Sequence, residues 1–283
     1  MLAGTTTTKF GRVQAPPPQR FSRLHFHREG TRLKEVSHDI PLPVLDQEDL
    51  DTQGIDTSAL VKGAQRVTAL GSCTCNAGTA CLAERLAAAG KSLADAVIPG
   101  YPVRLSETAA VGDEEFAIVL YHLVTDQTGN PASEWPPADC GSSGYDVCTE
   151  LERLRLAASC KSAADVTGGL SMLQDGTVMQ GSPWFESWMT PDKDGFVDGD
   201  GSLDALRAAI ESGVAGGHET VQRGIPQLGQ LANGTIDLSR TVIRVRNSWS
   251  ADWPGSLVGD FLLHASTLNY LSSYVDYKQP VIN

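Results

Sequence analysis

A cysteine, a histidine and an asparagine follow one another along this chain in an order that suits nucleophilic chemistry. They are Cys73, His218 and Asn247, separated by 145 and 29 residues. A thiol becomes a strong nucleophile at neutral pH when a helix N-terminus and a neighbouring imidazolium lower its pKa. The imidazole needs a third group to fix its ring orientation, and a side-chain amide can do so by accepting from one ring nitrogen. The trio predicts a thiolate nucleophile, a base and an orienting residue.

The candidate nucleophile begins a predicted helix. Residues 73–89 are rich in strong helix formers and are followed by Gly90, a residue type that commonly ends helices. Further helices are predicted to begin near Asp113 and to cover about 145–158 and 203–212, the last between Ser202 and Gly213. The apolar stripes contain Phe116, Val119, Leu120 and Leu123 in the second helix and Val147, Leu151, Leu154 and Ala158 in the third.

Composition divides the chain into an arm and a two-part body. Residues 1–54 are rich in proline and predict an irregular arm, with seven Lys or Arg against three Asp or Glu in residues 1–40. Residues 55–283 predict one domain with a helical lobe over about 70–160 and a β-rich lobe over about 165–275. The strand signals are strongest at 241–246 and 260–264.

Charge and hydropathy exclude two classes of partner. The 283 residues carry a formal net charge of −12, whereas a nucleic-acid binder needs a basic face. No stretch approaches the roughly 18 consecutive apolar residues of a membrane helix. Six cysteines are too few for a disulfide framework, and the first residues lack the apolar core of a secretory signal. We expect neither nucleic acid nor membrane as a partner, and we expect thiols rather than disulfides.

The acidic segment 192–201 invites a calcium interpretation that its spacing does not support. A helix-loop-helix calcium loop needs carboxylates at positions one, three and five, glycine at six and glutamate at twelve. Counted from Asp192, position six is Val197. The segment instead predicts a hairpin rich in turns, and no metal site is predicted.

Four motifs, taken together, resemble those of one enzyme family. Residues 71–77, Gly-Ser-Cys-Thr-Cys-Asn-Ala, resemble the nucleophile motif of the papain-like cysteine peptidases, especially the compact bacterial and bacteriophage branch. The other three are a cleft-wall motif at 139–145, a histidine motif at 216–218 and an asparagine motif at 246–253, which is followed by 259–261. The resemblance covers roughly residues 55–270.

The resemblance implies both a fold and a reaction. The fold is α+β and papain-like, with a helical lobe facing an antiparallel, β-barrel-like lobe across a cleft. The reaction is hydrolysis of a peptide or protein substrate through a thioester on Cys73, with His218 as general base and acid. Neither a cofactor nor a metal is implied. The resemblance assigns orientation of the histidine to Asn247 and substrate binding to Ser143, Gly144, Gly217 and Trp249.

One departure from the family concerns the oxyanion donor. The family has a glutamine six residues before the nucleophile, and this chain has Val67 there. Gln65, two residues earlier, reaches the site only if the loop is shifted. One such donor is worth about 10²–10³ in rate, so its loss weakens an enzyme without abolishing its activity. The backbone N–H of Cys73 is a second donor.

Several questions stay open from the sequence alone. The site also suits a cysteine amidase or endopeptidase acting on peptidoglycan, and Val67 is the main argument for a catalytically silent papain-like fold that serves as a binding or virion component. We expect a cytoplasmic or virion-associated protein of open oligomeric state. The arm is a candidate cleft cover because its positive charge opposes that of the acidic body.

Overall fold

An antiparallel sheet and several short helices make up the part of the chain that the structure describes. The computed structural model describes residues 33–40, 61–62, 65–66, 72–93, 116–117, 120–121, 123–124, 142–249, 253 and 257–282. The strands there are β1 (Val36–Ser37), β2 (Val61–Lys62), β3 (Gln65–Arg66), β4 (Ser159–Ala163), β5 (Val178–Phe185), β6 (Val214–Gln227), β7 (Val242–Arg246), β8 (Asp260–His264) and β9 (Asp276–Val281). The helices are α1 (Cys73–Ala88), α2 (Gly144–Arg153), α3 (Val166–Met172), α4 (Leu203–Ser212) and α5 (Ala265–Tyr270), with 3₁₀ turns at Glu186–Met189 and Leu238–Arg240.

Seven strands form one open sheet. Their order is β4, β9, β5, β6, β7, β8, with β1 paired to β6, and every pairing is antiparallel. The strands predicted at 241–246 and 260–264 are confirmed as β7 and β8. The β-rich lobe therefore has the expected antiparallel strands, but its sheet is open and does not close into a barrel.

Two separate apolar clusters correspond to two lobes. One is built from the sheet and α3 to α5 around the aromatic residues Trp184, Trp188, Trp249, Trp253 and Phe261. The other joins α1, α2 and a helical segment near 116–124 through Leu82, Leu86, Leu120, Tyr121, Val147 and Leu151. Strand β5 contributes Val178 to the first cluster and Met179 to the second, because successive side chains point to opposite faces of a strand. The α+β, two-lobed fold is confirmed.

The helices with strong local end signals match their predictions. Helix α1 ends at Ala88, and Gly90 follows in the left-handed region with φ of +69°. Helix α4 begins after Ser202, whose Oγ accepts from the N–H of Ala205 at 3.1 Å, and ends before Gly213. No helix in the described part of the chain is long and apolar enough to cross a lipid bilayer.

The helix predicted over 145–158 is shorter than expected. Ser143 and Asp146 form a capping box at its start, and the helix ends at Arg153. Arg155 then has φ of +60°, and the N–H of Ala158 donates to Val281 O at 2.8 Å. The N–H of Leu156 donates to Leu151 O at 2.9 Å across this left-handed residue, and β4 begins at Ser159 in a pairing with β9 that helical periodicity does not contain. Near 116–124 the described residues are helical, with Phe116 and Leu120 buried; Val119 lies outside the described residues.

Part of the predicted arm lies on the sheet. Val36 and Ser37 pair with Ile225 and Gly224 of β6, and Leu33 is buried in the larger apolar cluster. This short strand differs from the irregular conformation predicted for residues 1–54, because pairing with β6 orders it. It places Val36 and Ser37 along the end of β6 that lies away from His218.

The acidic loop 192–201 is held by bonds within the protein. Asp192 Oδ1 accepts from the backbone N–H groups of Asp194 and Phe196, each at 2.9 Å. Asp198 is buried and accepts from the N–H of His264 at 2.9 Å and from Thr267 Oγ1 at 2.6 Å. Asp192 therefore holds the turn within the loop, and Asp198 anchors the loop to β8 and α5.

Candidate active site

His218 and Asn247 are bonded to one another inside the sheet lobe. His218 lies in β6 opposite Ser182 of β5, and Asn247 directly follows β7, where its N–H donates to Gly259 O at 2.9 Å. His218 Nε2 lies 2.8 Å from Asn247 Oδ1. Both residues are almost fully buried, at 0% and 1% exposure.

A backbone group defines the protonation of this pair. Asn247 Oδ1 also accepts from the backbone N–H of Ser248 at 2.8 Å. A backbone N–H can only donate, so this amide atom is the oxygen, and the His218 nitrogen facing it must carry a proton. Neutral His218 is therefore the Nε2–H tautomer, and Nδ1 is the nitrogen that can accept a proton from an acid.

Two indole rings enclose the imidazole. Trp249 stacks on His218 with ring centroids 4.7 Å apart and planes 21° from parallel. Trp184 meets the same imidazole edge-on, at 5.1 Å and 84°. Both indoles are buried, so they keep water away from the bond between His218 and Asn247. The predicted contact of Trp249 with substrate remains a prediction.

Cys73 is the first residue of α1. The carbonyl of Ser72 accepts from the N–H groups of Cys75 and Asn76, each at 3.0 Å, which starts the helix directly at the thiol. The first turn of this 16-residue helix contains no acidic residue. No carboxylate in that turn offsets the positive end of the helix dipole, which favours a thiolate at Cys73, whereas the burial of this side chain opposes it.

The elements that carry the three residues converge. Helix α1 packs against β6, and one cleft is lined by residues from α1, from β6 and from the end of β7. Its lining residues include Asn76, Ala77, Glu219, Asn247 and Ser248. The helix that begins at Cys73 therefore faces the strands that carry His218 and Asn247.

The predicted cleft wall also lies beside the start of α1. Thr74 Oγ1 contacts Ser142 Oγ, which joins the first turn of α1 to the segment before α2. Ser143 caps α2, and its N–H donates to Asp146 Oδ2 at 2.8 Å. A Cβ on Gly144 would lie 2.8 Å from Glu219 Oε1, so the Glu219 carboxylate would have to shift to admit a side chain at this position.

Comparison with known proteins identifies the fold. No family model and no curated protein matches the sequence. Xylellain, a cysteine protease from Xylella fastidiosa, is similar in structure with a TM-score of 0.53 and 17% identity, over 100% of this chain and 99% of that one. Procathepsin B S9 from Trypanosoma congolense has a TM-score of 0.50 and 11% identity, over 98% and 87%. The chain has a papain-like fold. Identities this low show the fold alone, and they favour no bacterial or bacteriophage branch.

The structure describes the positions of further predicted site residues, and the roles of these residues remain predictions. Gly217 precedes His218 in β6 and lies opposite Pro183. Gln65 pairs with Lys62 in the hairpin of β2 and β3, but its side chain and all of Val67 lie outside the described residues. Within the described ranges, no group of three or more His, Cys, Asp or Glu side chains is arranged to hold a metal ion.

Two contacts of the candidate site were not predicted from the sequence. Trp184, Phe185, Trp188 and Met189 form an aromatic cluster in the sequence that indicates core more often than a substrate contact, whereas the Trp184 ring is also a wall of the His218 pocket. The sequence did not single out Ser142, which contacts the residue after Cys73. Trp184 reaches His218 because β5 pairs with β6 in the register that places Ser182 opposite His218. A strand register is not encoded in local spacing, so the sequence alone does not predict this contact.

Proposed function

We propose that this protein is a cysteine-dependent peptidase that cleaves amide bonds through a thioester on Cys73. The observation that carries the proposal is the bond from His218 Nε2 to Asn247 Oδ1, held by the N–H of Ser248. It leaves Nδ1 as the proton acceptor on a strand packed against the thiol-bearing helix. The papain-like fold supports the same assignment.

The first half-reaction forms the thioester. Nδ1 of His218 takes the thiol proton, and the Cys73 sulfur attacks the carbonyl carbon of the scissile amide. The resulting oxyanion develops at the N-terminus of α1, where the Cys73 backbone N–H and the helix dipole stabilise it. The carbon–nitrogen bond then breaks as the protonated imidazole gives its proton to the leaving amine.

The second half-reaction regenerates the thiol. Water attacks the thioester carbonyl while His218 Nδ1 accepts a proton from it. The carbon–sulfur bond breaks, the carboxylic acid leaves, and the proton on His218 returns to the Cys73 sulfur. Asn247 holds the ring through both steps by accepting from Nε2–H.

Selective alkylation tests the proposed nucleophile. Iodoacetamide is applied between about pH 4 and pH 9, and each cysteine is quantified by mass spectrometry in the wild type and in His218→Ala. We expect Cys73 to react well below the pKa of about 8.5 of an ordinary thiol and to lose that reactivity without His218. Burial raises the pKa of the Cys81 and Cys148 thiols, so we expect these two to stay unreactive and to act as internal controls. A Cys73 that titrates like an ordinary thiol contradicts the proposal and favours a silent fold used for binding.

Substrate competition tests the bond class. The wild type and Cys73→Ser are incubated with casein and, separately, with purified peptidoglycan, and new amino groups are counted. We expect new amino groups to appear from casein with the wild type and not with Cys73→Ser. Release from peptidoglycan alone would replace the peptidase assignment with a cell-wall amidase on the same three residues.

A further inference from the structure

Three arginines converge on one buried aspartate next to the candidate active site. Asp260 of β8 accepts from Arg223 Nη1 at 3.2 Å and from Arg244 Nε at 2.6 Å through Oδ2, and from Arg246 Nε through Oδ1. We call these four residues the arginine cluster. It lies on the face of β6, β7 and β8 opposite the side chains of Ile243 and Val245, which are in the apolar core.

The cluster has an excess of positive charge. Three guanidinium groups share a single carboxylate, whose side chain is fully buried. A second carboxylate, that of the fully exposed Asp39, lies 3.5 Å from Arg223 Nη2 and offsets one more of the positive charges. Burial lowers the pKa of Arg223, and the charges of Arg246 and Arg244 lower it further, against the opposing effect of Asp260.

Two of the guanidinium groups retain donors for another acceptor. Arg244 and Arg246 contact Asp260 through Nε, and no acceptor among the described residues binds their terminal nitrogens. Each terminal pair is a planar fork of N–H donors, the geometry that binds carboxylate, sulfate and phosphate oxygens. The Arg244 side chain is 37% exposed, so the cluster opens to solvent on that side.

The cluster adjoins the cleft. Arg246 directly precedes Asn247, and both line the cleft together with Ser248 and Asn76 of α1. The whole chain carries a net charge of −12, so this excess of cations is a local exception. Arg246 places a positive charge on this wall of the cleft, which also carries Glu219, and a cationic group attracts ligands of the opposite sign.

We propose that the arginine cluster is a binding site for an oxyanion beside the active site. Its ligand is a carboxylate, sulfate or phosphate group that accepts from the terminal nitrogens of Arg244 and Arg246. Such a group comes either from an acidic side chain of a peptide in the cleft or from a small inorganic anion. Binding of an oxyanion does not depend on the proposed function. The identification of a substrate peptide as the source of that oxyanion rests on the proposed function.

Thermal unfolding with inorganic sulfate tests the site. The full chain is unfolded across a sulfate series and a chloride series of equal ionic strength, as wild type, Arg244→Gln and Arg207→Gln. Arg207 is the matched control, because it is an exposed arginine on α4 that pairs with Asp204. We expect a saturable sulfate-dependent rise in Tm for the wild type and Arg207→Gln, and affinity at least about tenfold weaker for Arg244→Gln.

Further outcomes separate the site from general salt effects. Sulfate stabilises most proteins, so an equal rise in all three proteins would overturn the proposal. Arg244→Lys keeps the charge without the fork, and we expect intermediate sulfate affinity for it. Substitution of Arg244 is chosen because it is the most exposed of the three arginines.

Peptide binding separates the two sources. Labelled peptides that differ only by Glu against Gln at scanned positions are titrated into Cys73→Ala, which removes the thiol chemistry from the measurement. Tighter binding of a Glu peptide that disappears with Arg244→Gln identifies a peptide carboxylate as the source. Sulfate binding without any preference for Glu supports the site and identifies a small anion. Absence of both effects overturns the proposal whether or not the protein is a peptidase.

Discussion

The imidazole of His218 and the indole of Trp249 lie face to face, with ring centroids 4.7 Å apart and planes 21° from parallel. The same imidazole donates to Asn247, two residues before that tryptophan. One short segment after β7 thus supplies both the bond that orients the ring and the surface that shields it. The geometry leads to separable predictions for the two residues.

Asn247→Ala is expected to lower kcat/KM by about 10², since the imidazole loses the acceptor that holds it in reach of the thiol. The effect should fall mainly on kcat, and the pH profile should shift because the tautomer is no longer fixed. Steady-state kinetics on a peptide substrate measure both. Asn233→Ala, in an exposed turn, is the matched control and should leave kinetics unchanged. Equal kinetics for both variants would contradict the orienting role.

Trp249→Ala is expected to cost about 3–5 kcal/mol of unfolding free energy, because it empties the space of a fully buried indole. Trp249→Phe keeps an aromatic face against His218 and should retain more of both stability and activity. Urea unfolding and kcat/KM are measured for each variant. If the two substitutions have equal effects, stacking on the imidazole is not what this position contributes.

Tyr277→Phe is expected to leave stability unchanged or raise it by about 1 kcal/mol at neutral pH. The Tyr277 hydroxyl is buried and has no hydrogen-bond partner among the described residues, so its removal relieves a desolvation cost.

The same residue predicts an alkaline effect. Burial raises the pKa of Tyr277, so the folded state holds its proton while the unfolded state releases it near pH 10. The wild type should therefore lose stability as pH rises above about 10, and Tyr277→Phe should lose less. Urea unfolding at neutral and alkaline pH tests this, with the more exposed Tyr270→Phe as control. Parallel pH curves for the wild type and Tyr277→Phe would refute the linkage.

Asp198→Ala is expected to destabilise the protein by about 3 kcal/mol, because three donors lose a buried charged acceptor. These are the His264 N–H, His264 Nδ1 and Thr267 Oγ1, at 2.9, 3.1 and 2.6 Å. Asp204→Ala removes a carboxylate that is 88% exposed and should change the free energy of unfolding little.

We also expect the wild-type Tm to be the same with calcium and with a chelator, since the loop carboxylates already bind groups of the protein. A calcium-dependent Tm would restore the metal interpretation.

Local sequence was sufficient for elements whose ends are signalled by their own residues. Helix α1, followed by Gly90, and helix α4, between Ser202 and Gly213, needed no tertiary information, because caps and φ preferences act within a few residues. The end of α2 was missed because Arg155 is left-handed and β4 begins soon after it, at Ser159, in a pairing with β9, which lies more than a hundred residues away in sequence.

The order and types of Cys73, His218 and Asn247 were readable from the sequence alone, because a nucleophile, a base and an amide are recognisable chemistry. Only the tertiary structure decided which ring nitrogen of His218 is protonated, since that depends on Nε2 lying next to Asn247 Oδ1, the oxygen that already accepts from the Ser248 N–H. The arginine cluster likewise exists only in the folded chain. The register between β7 and β8 places Arg246 opposite Asp260, and register is determined by pairing across strands rather than by spacing along one.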